Sequence, residues 1–231
     1  MLTVGLIGAG RIGRVHASTI VQDEGSQLVA VADSVDENAK NLAKLYKVNP
    51  RSVDAIFEDN SIEAILIASS TDTHSDFIEK ASIAGKAILC EKPVDLSLAR
   101  AKRCLENTKS NEHSIMMGFN RRFDPNFVAL KNALDGGEIG TAELLSITSF
   151  DPAPPPIDYV KVSGGIFKDM MIHDFDMVNF LYGELPKSIF VSASAIIDKK
   201  IGAVGDYDTA VATLKYTDGR LAVIKNSRRA T

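Results

Sequence analysis

Five short apolar runs, at residues 3–7, 28–32, 64–68, 87–90 and 114–117, alternate in the first half of the chain with segments of a different rhythm. In those segments, 12–21, 38–46, 74–84 and 98–108, apolar residues recur every three to four positions. The runs have the length of strands, and the three-to-four spacing is that of helices with one buried face. Strands that alternate with helices form a parallel sheet, because each crossover helix carries the chain back to the same end and packs on a face of the sheet. The pattern therefore predicts an α/β domain, a doubly wound parallel sheet of the Rossmann type.

After Phe123 the rhythm changes. A helix is expected at 125–134, ending at Gly136-Gly137, and strands at 143–150, 188–197, 210–216 and 221–225. Asp218-Gly219 supplies the turn of a hairpin between the last two strands. A proline-rich loop at 151–156 and one long helix at 167–182 separate the first two. The second half reads as an α+β domain, an open and mainly antiparallel sheet with helices on one face, and the expected division is 1–120 and 121–231.

The first strand runs directly into Gly8-Ala9-Gly10-Arg11-Ile12-Gly13, a GxGxxG turn that opens a helix. Gly8 suits the tight turn, Gly10 lets backbone approach a pyrophosphate, and Gly13 permits close helix-to-strand packing. Glycine-rich turns also serve as plain connections, so the motif alone decides little. Asp33 adds to it, ending the second strand about 20 residues after the glycines, where a carboxylate accepts hydrogen bonds from an adenosine ribose and repels a 2′-phosphate. With Ser34 rather than arginine next, the pattern favours NAD over NADP, although aspartate at a strand end is also a common turn residue.

Composition narrows the partners. A chain of 231 residues, 45% of them hydrophobic, is long enough to bury a core. Net charge is −4, and the basic residues occur singly or in short pairs such as Arg121-Arg122 and Arg228-Arg229, so no basic stripe points to nucleic acid. Small-molecule partners fit better. No basic leader precedes the first strand, and no apolar run reaches the roughly 18 residues of a membrane span, so a cytoplasmic location is the default expectation and no membrane contact is expected. Cys90 and Cys104 form neither a paired framework nor a CxxC motif and read as buried, reduced thiols without a chemical role.

Three segments carry candidate chemistry. Ser69-Ser70-Thr71-Asp72-Thr73-His74 follows the third strand and so lies at the carboxyl edge of the sheet, where doubly wound folds bind ligands; its hydroxyls could meet a cofactor, or Asp72 or Thr73 could cap the next helix. Glu91-Lys92-Pro93 follows the next strand and reaches the same edge, where Lys92 could stabilise negative charge developing on a substrate oxygen. In the long helix, Asp169 and His173 are four residues apart and would share a face. An imidazole suits a general base that removes a hydroxyl proton, with Asp169 orienting it or binding substrate hydroxyls. Two other readings stay open: a structural Asp169–His173 pair, or a metal site with Asp174 and Asp176.

Together these residues resemble the Gfo/Idh/MocA oxidoreductase family, and within it the inositol 2-dehydrogenases. The resemblance spans essentially the whole chain. It rests on GxGxxG, on Glu91-Lys92-Pro93, on Gly118-Phe119-Asn120-Arg121-Arg122-Phe123-Asp124, and on the segment from Ser163 to Asp169 with His173-Asp174. Asp151-Pro152-Ala153-Pro154-Pro155-Pro156, Tyr159 and the closing Asn226-Ser227-Arg228-Arg229-Ala230 are similar to the inositol enzymes in particular.

The resemblance implies a triad of Lys92, Asp169 and His173, with His173 as base while a ring hydroxyl becomes a ketone and hydride passes to NAD. It places Arg122, Asp151 and Tyr159, with the triad, near a polyol. It implies an NAD cleft lined by Gly8, Gly10, Arg11, Ile12, Gly13, Asp33, Ser69, Thr71, His74, Glu91 and Lys92, no metal, and a homo-oligomer built through the open sheet. Phe150 and Asn179 stand where that subgroup is expected to carry arginine, which leaves room for a different sugar or polyol as substrate. Family members also continue beyond the position of Thr231, so the second sheet is expected to be incomplete, with an unpaired edge and a weakened oligomer. A catalytically silent NAD-binding protein is the corresponding alternative.

Overall fold

The computed structural model describes residues 1–109 and 114–230, which fall into two compact units, Met1–Gly118 and Phe119–Thr231. In the first unit the chain runs β1 (Leu2–Ile7), α1 (Arg11–Gln22), β2 (Ser26–Ala32), α2 (Asp36–Tyr46), β3 (Asn49–Pro50), α3 (Val53–Glu58), β4 (Ala64–Ile67), a 3-10 turn (Thr71–Thr73), α4 (His74–Ile83), β5 (Ala87–Cys90), α5 (Leu98–Thr108) and β6 (Ile115–Met117). The strands form one six-stranded sheet in the order β3-β2-β1-β4-β5-β6, and every pair is parallel. The order reverses between β1 and β4, which makes their carboxyl ends the topological switch point of the sheet.

Side-chain alternation explains why both faces are covered. Along β4, Ile65 and Ile67 point into a cluster with Ile56 and Phe57 of α3, Ile78 and Ala81 of α4 and Cys104 of α5. Ala64 and Leu66 point the other way, against Ala17 and Ile20 of α1 and Ala39, Leu42 and Ala43 of α2. All four residues of β4 are buried, as expected of a central parallel strand. The expected sheet is thus observed. The helix α3 was not foreseen: it is six residues long, capped by the Ser52 hydroxyl on the Ala55 amide, and too short to display a period.

The second unit opens with a 3-10 turn (Asn120–Phe123) and continues through α6 (Pro125–Asp135), β7 (Leu144–Phe150), α7 (Ile157–Ser163), a π-helical turn (Ile166–Met171), α8 (Ile172–Tyr182), β8 (Ser188–Ser194), α9 (Lys199–Ala203), β9 (Thr209–Lys215) and β10 (Leu221–Ser227). Its sheet has the order β7-β10-β9-β8, antiparallel except for the parallel pair of β10 with β7. Ala210, Ala212, Leu214, Ala222 and Ile224 face Ile166, Met170 and Met171 of the π turn and Val178 and Tyr182 of α8, so one face is covered by helix as expected.

Two expectations need correction here. The long helix at 167–182 is a π turn followed by α8, so Asp169 and His173 do not share one regular α-helical face. Gly165, at φ +74, begins that turn; a Cβ there would lie 2.2 Å from Asp206 Oδ1, which instead accepts the Ile166 amide at 3.1 Å. The strand expected at 188–197 stops at Ser194 because Asp208 captures the amides that would extend it. The buried carboxylate accepts from Ile196 at 3.0 Å, Ile197 at 2.8 Å and Asp198 at 2.9 Å. Among the described residues, no helix is long and apolar enough to cross a membrane.

Burial pushes the Asp208 carboxyl up, but the Asp198, Ile196 and Ile197 amides and the Thr209 hydroxyl outweigh it and hold the acid below its ordinary value of 3.8. A depressed folded-state pKa contributes stability that is present above the unfolded value and lost as pH falls through the folded one. Asp208→Ala, which also leaves buried amides without an acceptor, is expected to lower urea-unfolding stability by about 3 kcal/mol at neutral pH. The gap from wild type should narrow as pH falls below 4, the ordinary Asp range; a gap independent of pH would refute the role assigned to the carboxylate.

Candidate active site

Parallel strands bring the carboxyl ends of β1, β2, β4 and β5 to one edge of the first sheet, and the candidate cofactor residues lie along it. Gly8, at φ +104, lies against β4, where a Cβ would approach the Ala68 carbonyl oxygen to 2.3 Å. A Cβ on Gly13 would come within 1.9 Å of the Gly8 oxygen, so both glycines are required by packing. Gly10 differs: nothing lies within 4 Å of its added Cβ. It occupies the N-cap of α1 and offers no side-chain acceptor to the first-turn amides of that helix.

Asp33 ties the glycine turn to β2. Its Oδ2 accepts the Ala9 amide at 2.6 Å and its Oδ1 accepts the Val35 amide at 2.8 Å. Each oxygen keeps a further lone pair with which to accept a hydroxyl. At the end of β4, the Ser69 and Thr73 hydroxyls lie 2.7 Å apart and Thr73 also donates to the Ser70 carbonyl, while Thr71 is half-buried in the 3-10 turn. Thr73 holds the N-cap position of α4 without a side-chain cap bond, so the capping reading of this segment is not what the structure contains.

His74 is buried. Its Nδ1 lies 2.8 Å from the Pro93 carbonyl oxygen and its Nε2 3.1 Å from that of Ser69, so it links the loop after β4 to the loop after β5. The ring thus ties these two loops of the sheet edge together from inside. Lys92 lies between Glu91 and the cis peptide to Pro93 at the end of β5. Cys90 is fully buried, and burial followed by the neighbouring Glu91 charge pushes its thiol far up, consistent with an inert side chain.

A residue outside the sequence motifs enters at this edge. His16, one turn beyond Gly13 on α1, places Nε2 at 2.7 Å from Glu91 Oε1. Burial pushes the Glu91 carboxyl up, yet the His16 hydrogen bond and charge, with Lys92 alongside, hold it below its ordinary value. Gly118 makes room for this acid, since a Cβ there would meet Glu91 Cδ and Oε2 at 3.1 Å. The available signal was position: a histidine three residues past the last fingerprint glycine lies one turn up the same helix.

In the second unit, Asp151, Tyr159, Asp169 and Arg228 converge from four different elements. The Tyr159 hydroxyl donates to Asp169 Oδ1 at 2.8 Å, and Arg228 donates through both terminal nitrogens to Asp169 Oδ2 and through one to Asp151 Oδ2, each at 3.2 Å. His173 follows Asp169 in the first turn of α8, with the Phe119 ring edge-on at a centroid distance of 6.4 Å. Arg122 is paired through two bonds of 2.8 and 2.6 Å with Asp176 and stacked 5.4 Å from the Phe180 ring centroid. Asp174 is fully buried and accepts from Arg121, from Ser149 Oγ at 2.8 Å and from Asn226 Nδ2 at 2.6 Å. Asp174 and Asp176 are thus each paired with an arginine, and among the described residues no group of three or more His, Cys, Asp or Glu is placed to hold a metal ion.

The model of an oxidoreductase family with an NAD-binding Rossmann fold matches residues 2–119, and that of the GFO/IDH/MocA C-terminal domain matches residues 127–231. The chain belongs to the GFO/IDH/MocA oxidoreductase family. This GFO/IDH/MocA chain is 50% identical over 227 residues to an inositol 2-dehydrogenase of Rhizobium meliloti, covering 98% of the chain and 69% of that relative. It is 44% identical over 231 residues to a myo-inositol 2-dehydrogenase of Thermotoga maritima, with 99% and 69% covered. A crystal structure of a myo-inositol dehydrogenase from Corynebacterium glutamicum superposes with a TM-score of 0.95 at 40% identity, over 100% of this chain and 69% of that one. For a GFO/IDH/MocA member, the crowded Gly8 and Gly13, the open Gly10 and the uncapped start of α1 fit the dinucleotide that the family binds.

The His16–Glu91 pair makes a testable case. In His16→Ala the burial that pushes Glu91 up would lose its main counterweight, so the Glu91 carboxyl is expected to titrate higher than in the wild type. A carbon-13 titration of the side-chain carboxyl would report this, and an unchanged midpoint would remove His16 from the account.

Proposed function

We propose that the chain catalyses NAD-dependent oxidation of the 2-hydroxyl of myo-inositol to the ketone. What carries the reading is the 50% identity with an inositol 2-dehydrogenase along 98% of the chain. The carboxylate cluster agrees with it. Asp151 and Asp169, backed by a buried guanidinium and flanked by the Tyr159 hydroxyl, present acceptors suited to the hydroxyls of a neutral polyol.

Bound NAD supplies the hydride acceptor. His173 serves as the general base that takes the hydroxyl proton, and Lys92 donates a hydrogen bond to the oxygen as it becomes a carbonyl. Asp169 binds a substrate hydroxyl and fixes the ring carbon to be oxidised. Gly8, Gly10, Arg11, Ile12 and Gly13 hold the pyrophosphate, and Asp33 binds the adenosine ribose and disfavours a 2′-phosphate. A second reading, a dehydrogenase for another sugar or polyol, is favoured by Phe150, half-exposed directly before Asp151.

The test is NADH formation from NAD and myo-inositol, with other inositol isomers and aldoses as a panel. Turnover is expected to be highest on myo-inositol and lower with NADP than with NAD. Lys92→Ala and His173→Ala should each reduce kcat/KM by about 10²–10⁴, the range for a lost acid–base group. Substantial activity surviving both changes would sink the assigned roles, and a clear preference for another substrate would establish the second reading.

A further inference from the structure

Arg228 takes no part in the chemical step itself, yet it is among the most enclosed charged groups of the second unit, its side chain 4% exposed. It is the first residue beyond β10, and its own amide donates to the Asp208 carbonyl at 2.8 Å, which fixes the backbone from which the side chain departs. The guanidinium then reaches two carboxylates that come from the end of β7 and from the π turn. Their side chains are 37% exposed at Asp151 and 13% at Asp169. The cation therefore lies behind and the acceptors in front.

A buried cation is tolerated when it is paired and hydrogen-bonded, and one guanidinium shared by two carboxylates satisfies that condition while leaving a net negative surface. Asp169 is consequently held at both oxygens, by Tyr159 on one side and Arg228 on the other. We propose that Arg228 is a positioning residue for polyol oxidation: by gripping Asp151 and Asp169 with one planar fork, it fixes the separation and direction of the two acceptors that orient the substrate hydroxyls. This rests on the reading of Asp151 and Asp169 as polyol-binding groups. Arginine is required rather than merely a positive charge, because an ammonium is a point donor on a flexible stem and does not span two acceptors with a rigid geometry.

The experiment uses the full chain with Arg228→Lys, Arg228→Met and, as control, Arg229→Gln at the exposed neighbour. Steady-state kinetics with myo-inositol, NAD affinity by calorimetry and thermal melts are measured for each. Arg228→Lys is expected to stay folded and to bind NAD within twofold of wild type, while its KM for myo-inositol rises about tenfold or more. Arg229→Gln should leave all three unchanged. Placed on Asp169→Asn, Arg228→Lys should add less than about twofold, because the two residues act as one unit.

A folded Arg228→Lys with unchanged polyol KM overturns the proposal, as does a full independent loss on the Asp169→Asn background. Equal losses in NAD affinity and polyol KM would also overturn it, since they indicate general damage. Should Arg228→Met not fold, the lysine variant decides alone. A wild-type chain that oxidises no polyol refutes the functional reading and this proposal with it, which distinguishes that failure from one confined to Arg228.

Discussion

In a parallel sheet every strand ends on the same side, and the first unit depends on that constraint. Because β1, β2, β4 and β5 all run one way, the glycine turn, Asp33, the Ser69–Thr73 segment and Glu91-Lys92 are delivered to one edge without further folding. Their side chains are then fixed by a few local bonds. Asp33 holds the Ala9 amide, His74 joins the Ser69 and Pro93 carbonyls, and His16 holds Glu91 beside Lys92. The packing demand is equally specific, since Gly8 and Gly13 sit where a single methyl would strike backbone.

The second unit solves a different problem, the placing of carboxylates among apolar helices and a sheet. Removing one partner of a buried charged pair costs about 3–5 kcal/mol, so each acid needs its own donors. Asp208 takes backbone amides and ends a strand; Asp174 takes Arg121, Ser149 and Asn226 and joins the 3-10 turn, α8, β7 and β10. Those two are closed to solvent and serve the fold. Asp151 and Asp169 share Arg228 and remain partly exposed, which is the condition for serving a ligand as well.

Much of this was legible along the chain, and the reasons differ by element. The parallel sheet could be read because a central strand such as β4 is apolar throughout and its helices are long enough to show a period. Asp151, Tyr159 and Asp169 were grouped by resemblance, and their spatial convergence agrees with that grouping. Arg228 was hidden because it lies 59 positions from Asp169 and its neighbour Arg229 looks the same in sequence while remaining exposed. The π turn was hidden because one extra residue in a helical turn leaves the three-to-four spacing almost unaltered. His16 looked isolated because its partner lies 75 residues away.

The central claim is that a polyol carbon loses its hydrogen directly to the dinucleotide held at the first sheet's edge. Myo-inositol carrying deuterium at C2, incubated with the chain and NAD in ordinary water, tests it most directly, with the products read by mass and proton resonance. One deuterium at C4 of the reduced nicotinamide for each ketone formed is the predicted result. Reduced cofactor without deuterium, or ketone formed while the deuterium passes to solvent, would contradict the account.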